Sequence, residues 1–383
     1  MCVPRRSVSD VLVYAHCTPL QLGFWDLYYN RYLKKENYLP SNVDILSTPW
    51  VFRLLVNTLR RRGIDYDTID ERVQSYLDAY MKKQHQTRSR EYFKQYRPYD
   101  EMMKFMRRAR YRCKGRCSLF TIGQSYEGRA LMGIKIGTSK HRGENQKRNI
   151  WIDAGTHSRE WISHTTALYL VDMLITGYTQ DRFVRHMVDT YDWYILPCVN
   201  PDGYNYTWTT NRRWRKTRRP ISGSDCFGVD INRNFGFKWG HSGSSTNPCS
   251  SNYRGNEPYS EPETKAIVDF IQSASRKDTW LMYITLHSKD RSSGTSRDWA
   301  YGEADIPYVY TFELRDRGRS GWKLPPSHII PAGEEVWAGL ETSIRAIEEL
   351  KSNGNMAKLK SNWEANHVIK APSRSRSRHP TTW

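Results

Sequence analysis

Long apolar runs are missing from this sequence, and cysteine is scarce. No stretch approaches the roughly eighteen uninterrupted apolar residues of a membrane-crossing helix, so no membrane span is expected. Seven cysteines (Cys2, Cys17, Cys113, Cys117, Cys198, Cys226 and Cys249) in 383 residues are too few to replace a hydrophobic core. Their odd number leaves at least one thiol unpaired within the chain. Acidic residues are also short: 40 Asp and Glu stand against 59 Lys and Arg, a net charge of +19. So basic a chain is drawn to nucleic acid, proteoglycan or anionic membrane surfaces. Zinc-finger spacing, an aromatic and basic RNA-binding pattern and a helix-turn-helix are all lacking. No specific nucleic acid is expected, and heparin-like polyanions account for the charge equally well. The first residues, MCVPRRSVSDVLVYAHC, offer only a short apolar stretch from Val11 to Ala15 and no small-residue cleavage site. As written they hold no secretory leader, so either the protein is cytosolic or its natural start differs.

What is present is enough for a large globular α/β protein, with 38% hydrophobic and 13% aromatic residues. Residues 1–19 are atypical, and a small α/β unit begins at about Leu20. Thr48 can cap a helix with Pro49 at its first position, Val51, Leu54, Leu55 and Leu59 on one face, and Gly63 as its stop. Thr68 and Glu71 have capping-box spacing, which predicts a second helix through Ile69, Val73, Tyr76, Leu77 and Tyr80. The basic stretch Lys82 to Arg90, KKQHQTRSR, reads as an exposed linker open to a trypsin-like protease. Residues 20–90 therefore form one unit with its linker, and residues 91–352 a larger one. In the latter, six apolar runs, LFTIG, ALMGIKIG, NIWIDAG, WYILPCVN, LMYITLH and VYTFELRD, alternate with helical patterns. They predict an α/β fold of three layers, α/β/α, around a central mixed, mainly parallel sheet. Ligands of such a sheet sit beyond the carboxyl ends of its strands. The tail, residues 353–383 with SRSRSR, has the composition of a disordered segment.

Chemistry concentrates after NIWIDAG. In Gly155-Thr156-His157-Ser158-Arg159-Glu160-Trp161 an imidazole and a carboxylate three residues apart can reach one divalent ion. His287 ends LMYITLH at another strand end. Two His and one Glu leave a fourth coordination position open, as in a catalytic zinc site. Glu313 lies in TFELRD, where burial makes a carboxylate costly unless it is paired to Arg315 or functional; beside a metal it suits a general base. Arg159, Arg212, Arg215 and Arg233, the last next to Asn232, supply forks that can grip a terminal carboxylate or an oxyanion.

With GTHSREW, NPDGYNYTWTTNRRWRKTR, GVDINRNF, YSEPET, TLHS, SGTSRDWAYG and YTFELRDRGRSGWKLPPSHIIP in this order, the sequence resembles the zinc metallocarboxypeptidases of the pancreatic A/B type with their propeptide, from about Leu20 to Leu350. The resemblance implies one zinc ion on His157, Glu160 and His287, with Glu313 as general base and Arg215 as oxyanion stabiliser. It implies that Asn232 and Arg233, assisted by Arg159, hold the C-terminal carboxylate of a peptide or protein substrate. A Cys226–Cys249 disulfide, secretion, a monomeric state and an inhibitory pro-segment released by cleavage near Arg88 or Arg90 are implied as well. In this family the residue before the Asp-Trp pair lies at the base of the specificity pocket. Here it is Arg297, a buried cation expected to favour a C-terminal Glu or Asp.

The sequence also departs from the family. Only 25 residues separate His287 from Glu313, where the family has a much longer stretch with a helix, a strand and a mobile loop bearing a cleft tyrosine. Lys289 stands where an aromatic residue is usual. A lost internal segment of this kind weakens substrate positioning more than metal binding, so a relative with impaired turnover that still binds zinc or peptide termini is the alternative expectation.

Overall fold

The computed structural model describes residues 88–139, 147–273, 280–288, 294–315 and 323–352, three strands before them, and Asn57, Arg60 and Arg61. Two compact units divide the chain, residues 1–336 and residues 337–383. The early strands β1 (Val11–His16), β2 (Asn42–Ser47) and β3 (Tyr66–Asp70) form an antiparallel sheet in the order β2-β1-β3. Two expectations change here. The small unit starts before residue 20, because Val11–His16 is its central strand. Thr68 and Ile69 continue β3, so no helix begins at Thr68; pairing of β3 with β1 takes up the backbone groups that a capping box would have used. Asn57, Arg60 and Arg61 are helical, with Arg61 reaching back to the Asn57 carbonyl, inside the expected first helix. Residues 71–87 lie outside the described residues. The expected exposed linker is a 3₁₀ turn from Arg88 onward.

The larger sheet follows. Helix α1 (Tyr99–Arg112) leads to β4 (Cys117–Gln124), β5 (Ala130–Ile136) and β6 (Arg148–Ala154). Next come α2 (Trp161–Gln180), α3 (Arg182–Thr190), β7 (Tyr191–Leu196) and α4 (Pro201–Thr209). Then α5 (Pro262–Ser273), β8 (Trp280–His287), α6 (Ser296–Gly302), β9 (Tyr308–Glu313) and α7 (Ile329–Ser352) complete it. The strand order is β4-β5-β7-β6-β8-β9, with β4, β5 and β7 joined antiparallel and β7, β6, β8 and β9 parallel. All six expected runs are strands of this one mixed sheet.

Burial follows position in the sheet. Every residue of the inner strand β8 is buried, the continuous apolar pattern of a strand covered on both faces. Trp151 and Tyr283 pack in a cluster with Ile267 and Ile271 of α5 and Trp299 of α6. On the strands' alternate positions Ile150, Ile152, Met282 and Ile284 are fully buried as well, and α2 packs against β6 and β8. Helix α2 has apolar residues around its whole circumference and is accordingly interior. Strand β9 contrasts with this. It is an edge strand, its first five residues half-buried and Glu313 exposed, so the expectation of a buried VYTFE run is corrected. Pairing on one side only leaves such a strand partly solvated.

Among the described residues two disulfides are formed, Cys226–Cys249 as the family pattern implies and Cys113–Cys117. Cys198 is a buried free thiol; Cys2 and Cys17 lie outside the described residues. In the second unit α7 continues from Trp337 to Ser352, and Arg345 bonds Glu341 one turn earlier at 2.7 Å. No described helix is long and apolar enough to cross a membrane.

Candidate active site

Because β6, β7, β8 and β9 run parallel, their carboxyl ends open on the same edge of the sheet, and the chemistry-bearing residues collect there. Strand β6 ends at Ala154 and gives way to Gly155, whose φ of +71° turns the chain into the His157 to Glu160 bend. A Cβ on Gly155 would lie 2.3 Å from Nε2 of His164, so only glycine fits this turn. Glu160 is then the N-terminal flanking residue of α2. The bend is closed by the Glu160 amide donating to the His157 carbonyl at 3.1 Å.

Three side chains converge. His157 Nδ1 lies 3.0 Å from Glu160 Oε1, while His287 Nδ1 lies 3.1 Å from His157 Nδ1 and 3.2 Å from Glu160 Oε2. One donor atom from each of the three falls within 4.8 Å of the others, and all three residues are buried. A tetrahedral ion with bonds of about 2.0–2.1 Å holds its ligand atoms roughly 3.3 Å apart, so the spacing and chemistry of this set fit zinc. Burial alone would raise the Glu160 pKa; the imidazoles of His157 and His287 outweigh it and hold the carboxyl below the usual carboxylate range. Its Oε2 also accepts the Ser288 amide at 3.0 Å, which fixes the carboxylate plane.

A fourth residue, to which the sequence reading gave no role, organises the far side. Asp230 is fully buried. Its Oδ1 faces Nε2 of His157 at 3.1 Å, and its Oδ2 accepts from Nε and a terminal nitrogen of Arg215 at 3.1 and 2.7 Å. The Asn232 amide donates to Oδ1 at 3.1 Å, and an Arg233 nitrogen lies 4.0 Å from Oδ2. Burial would raise the pKa of Asp230, yet Arg215, Arg233 and His157 together keep it well below the ordinary range. A carboxylate behind a ligating imidazole fixes both the tautomer and the ring plane. Its signal was in plain view, an acid two residues before Asn232 in GVDINRN.

The other expected residues divide. Arg215, Asn232 and Arg233 are buried around Asp230, and the Ser296 amide donates to Asn232 Oδ1 at 3.1 Å. Arg159 lies in the His157 to Glu160 bend; its carbonyl accepts from Arg212 at 2.7 Å, and the Arg212 guanidinium rests 3.8 Å above the Trp161 ring. Burial pushes the Arg212 pKa down to about 10. Glu313 pairs in register with His287 across β8 and β9, so the expected base stands beside one of the three converging donors although it is exposed. Arg315 donates from its Nε to Glu335 at 2.6 Å. Arg297 is not the buried cation expected. On α6 the buried positions are Ser296, Trp299 and Ala300, which turns the intervening Arg297 outward, where it bonds its neighbour Asp298 at 3.1 Å.

Buried imidazoles and a carboxylate grouped at the open end of a parallel sheet, with a carboxylate and several arginines around them, define a metallohydrolase-type site. The zinc carboxypeptidase family profile matches residues 102–293 and 289–339. Carboxypeptidase A2 of Mus musculus is 34% identical over 385 aligned positions, covering 86% of this chain and 88% of that protein. Carboxypeptidase A4 of Mus musculus is 34% identical, covering 90% of each. Bovine thrombin-activatable fibrinolysis inhibitor, solved with a tick carboxypeptidase inhibitor, superposes with a TM-score of 0.60 at 31% identity over 67% of this chain and 99% of that one. The chain belongs to the zinc carboxypeptidase family of peptide hydrolases. The profile matches in two pieces that meet at residues 289–293, the place where the sequence between His287 and Glu313 is short.

Proposed function

We propose that the protein is a zinc-dependent exopeptidase that removes C-terminal residues from peptides and proteins, with one ion held by His157, Glu160 and His287. The observation that carries this reading is the meeting of three buried donors from segments 127 to 130 residues apart, with Glu313 in register beside one of them. Zinc bound there would supply Lewis-acid polarisation of the scissile carbonyl and lower the pKa of water towards about 7. Glu313, at the solvent edge, takes the proton of the attacking water and returns it to the leaving amine. Arg215 stabilises the developing oxyanion, and Asp230 preorganises both this guanidinium and His157. Asn232, Arg233 and Arg159 hold the terminal carboxylate through charge-assisted hydrogen bonds.

The finer parts of the reading follow the family likeness. Residues before Arg88 act as an inhibitory pro-segment of a secreted zymogen, and a trypsin-like protease cuts at Arg88 or Arg90 after the 3₁₀ turn unwinds. The mature enzyme acts as a monomer. Arg297 favours substrates ending in Glu or Asp, supported by its place one residue from Ser296, whose amide touches Asn232. A second reading, binding with impaired turnover, is favoured by the two-piece family match and the exposed β9 edge. The test uses peptides identical except for a terminal Glu, Phe or Lys. Release of the terminal residue that stops with a chelator and returns with zinc supports the enzyme. Zinc and peptide binding without release supports the impaired form, and failure to bind zinc with the sheet folded defeats both.

A further inference from the structure

Away from the cleft, one face of α1 is unaccounted for by peptidase chemistry. From Lys104 to Arg116 the chain carries seven Lys and Arg in thirteen residues and no acid. The helical period sends Met102, Met103, Phe105, Met106 and Ala109 inward, where they are buried. Lys104, Arg107, Arg108, Arg110 and Arg112 are left exposed on the outer face, with Tyr111, 77% exposed, among them. Acids engage only the two ends of this row: Glu101 holds Lys104 and Asp172 holds Arg112, each at 2.7 Å. Arg107, Arg108, Arg110 and Lys114 have no carboxylate partner among the described residues. The Cys113 amide bonds the Ala109 carbonyl, and the Cys113–Cys117 bridge closes the turn that carries Lys114 and Arg116.

Favourable interaction with the helix dipole explains cations in the last turn of α1. It does not explain Arg107 and Arg108 earlier in the helix, nor why, beyond the Glu101–Lys104 pair, the face lacks acids at the spacing that solvated helix faces use to balance charge. Neighbouring charges in such rows lie about 5–6 Å apart, and Lys104 to Arg112 spans roughly 12 Å. That is a short rail of guanidinium forks suited to the anionic oxyanion groups of a linear polymer. One exposed ring is too little for stacking a series of bases, and the face has no apolar wedge for a bilayer.

We propose that the outer face of α1 and the turn after it bind a sulfated polysaccharide of heparin type. The site is separate from the peptidase centre, so its test does not depend on turnover. Full-length protein is titrated with a heparin octasaccharide over a range of salt concentrations. Arg107→Gln, Arg108→Gln, Arg110→Gln and Lys114→Gln together should weaken binding about ten-fold or more and reduce the slope of log affinity against log salt by about three. A control with Arg182→Gln, Arg185→Gln, Arg213→Gln and Lys238→Gln, exposed cations elsewhere, should lose less than about two-fold. In the unaltered protein, bound octasaccharide should shield Arg107, Arg108 and Arg110 from an arginine-specific dicarbonyl reagent, a readout that does not depend on any variant folding. Equal losses in the two variants, or undiminished labelling under saturating heparin, would overturn the proposal. So would tighter binding of duplex DNA through the same arginines.

Discussion

The two sides of the cleft are built differently. On one side the bend after β6 and the Asp230 cluster are buried, and Asp230 alone meets His157, Arg215 and Asn232 by hydrogen bonds. On the other side the edge strand β9 ends with Glu313 in solvent, and Arg297 turns outward to Asp298. The contrast separates two tasks that a single label of active site would merge. A buried, cross-bonded set can hold a cation without help from substrate. An exposed set has yet to be desolvated and positioned by whatever binds, and positioning is where rate is most easily lost. Metal retention should therefore be robust in this chain and turnover sensitive.

The sharpest break in that comparison is a pair of substitutions, one on each side. Glu160→Gln removes a ligand charge from the buried set and should abolish stoichiometric zinc, measured by elemental analysis after dialysis. Glu313→Gln should leave zinc content unchanged while lowering kcat by about 10²–10⁴-fold, the usual share of a general base. If Glu313→Gln also lost zinc, the two sides would not be independent and the division would be wrong.

Stability needs its own probe, one that belongs to neither set. Glu263, in the first turn of α5, is buried and accepts the Tyr126 amide at 3.1 Å. Burial first, then the neighbouring Glu261 and Asp202 charges, push its pKa up to about 8. A carboxyl that holds its proton in the fold but releases it on unfolding gives stability that is greatest below pH of about 4, declines as pH rises and is lost through pH 8. Glu263→Gln should flatten this dependence and stabilise the protein at pH 8 by roughly a few kcal/mol, read from denaturant midpoints. Zinc content should not change. A variant as pH-sensitive as the parent would show that Glu263 is ionised in the fold.

Within the buried side, Asp230→Asn keeps the shape but removes the charge shared by His157 and Arg215. Zinc affinity should fall about 10–100-fold, as when an outer carboxylate behind a ligating histidine is replaced. Competition with a fluorescent chelator measures it. Full affinity in the variant would mean that the ring of His157 is held by the bend alone.

The sequence made the buried side legible because its signals are local or lie at strand ends. The GTHSREW bend and the terminal His287 of LMYITLH could be placed on one edge as soon as the apolar runs were taken as parallel strands. Asp230 escaped because its role depends on contacts with His157 and Arg215, which are 73 and 15 residues away. The exposed side was misjudged for a related reason. An apolar run such as VYTFE reads the same at the centre of a sheet and at its edge, and only the order of strands tells them apart. Thr68 failed similarly: capping-box spacing is a local preference, and antiparallel pairing of Tyr66–Asp70 with Val11–His16 overrode it. Arg297 was assigned by its neighbours in sequence, whereas its exposure follows from the rotation of α6.

That rotation sets the smallest expected effect. An exposed guanidinium already paired with Asp298 gains little by exchanging one carboxylate for another, since such pairs are worth about 0–1 kcal/mol. Arg297→Gln should therefore reduce the kcat/KM preference for a terminal Glu over Phe by no more than about five-fold, an upper bound set by the same range. Removing the competing partner with Asp298→Asn should raise the preference by a similar factor. The two variants bracket the effect of the pocket charge: opposite shifts mean that Arg297 reads the end of the substrate, and identical shifts mean that α6 only shapes the cleft. A drop of a hundred-fold with Arg297→Gln would show that the side chain turns inward and is desolvated when substrate binds, moving Arg297 from the exposed side of the comparison to the buried one.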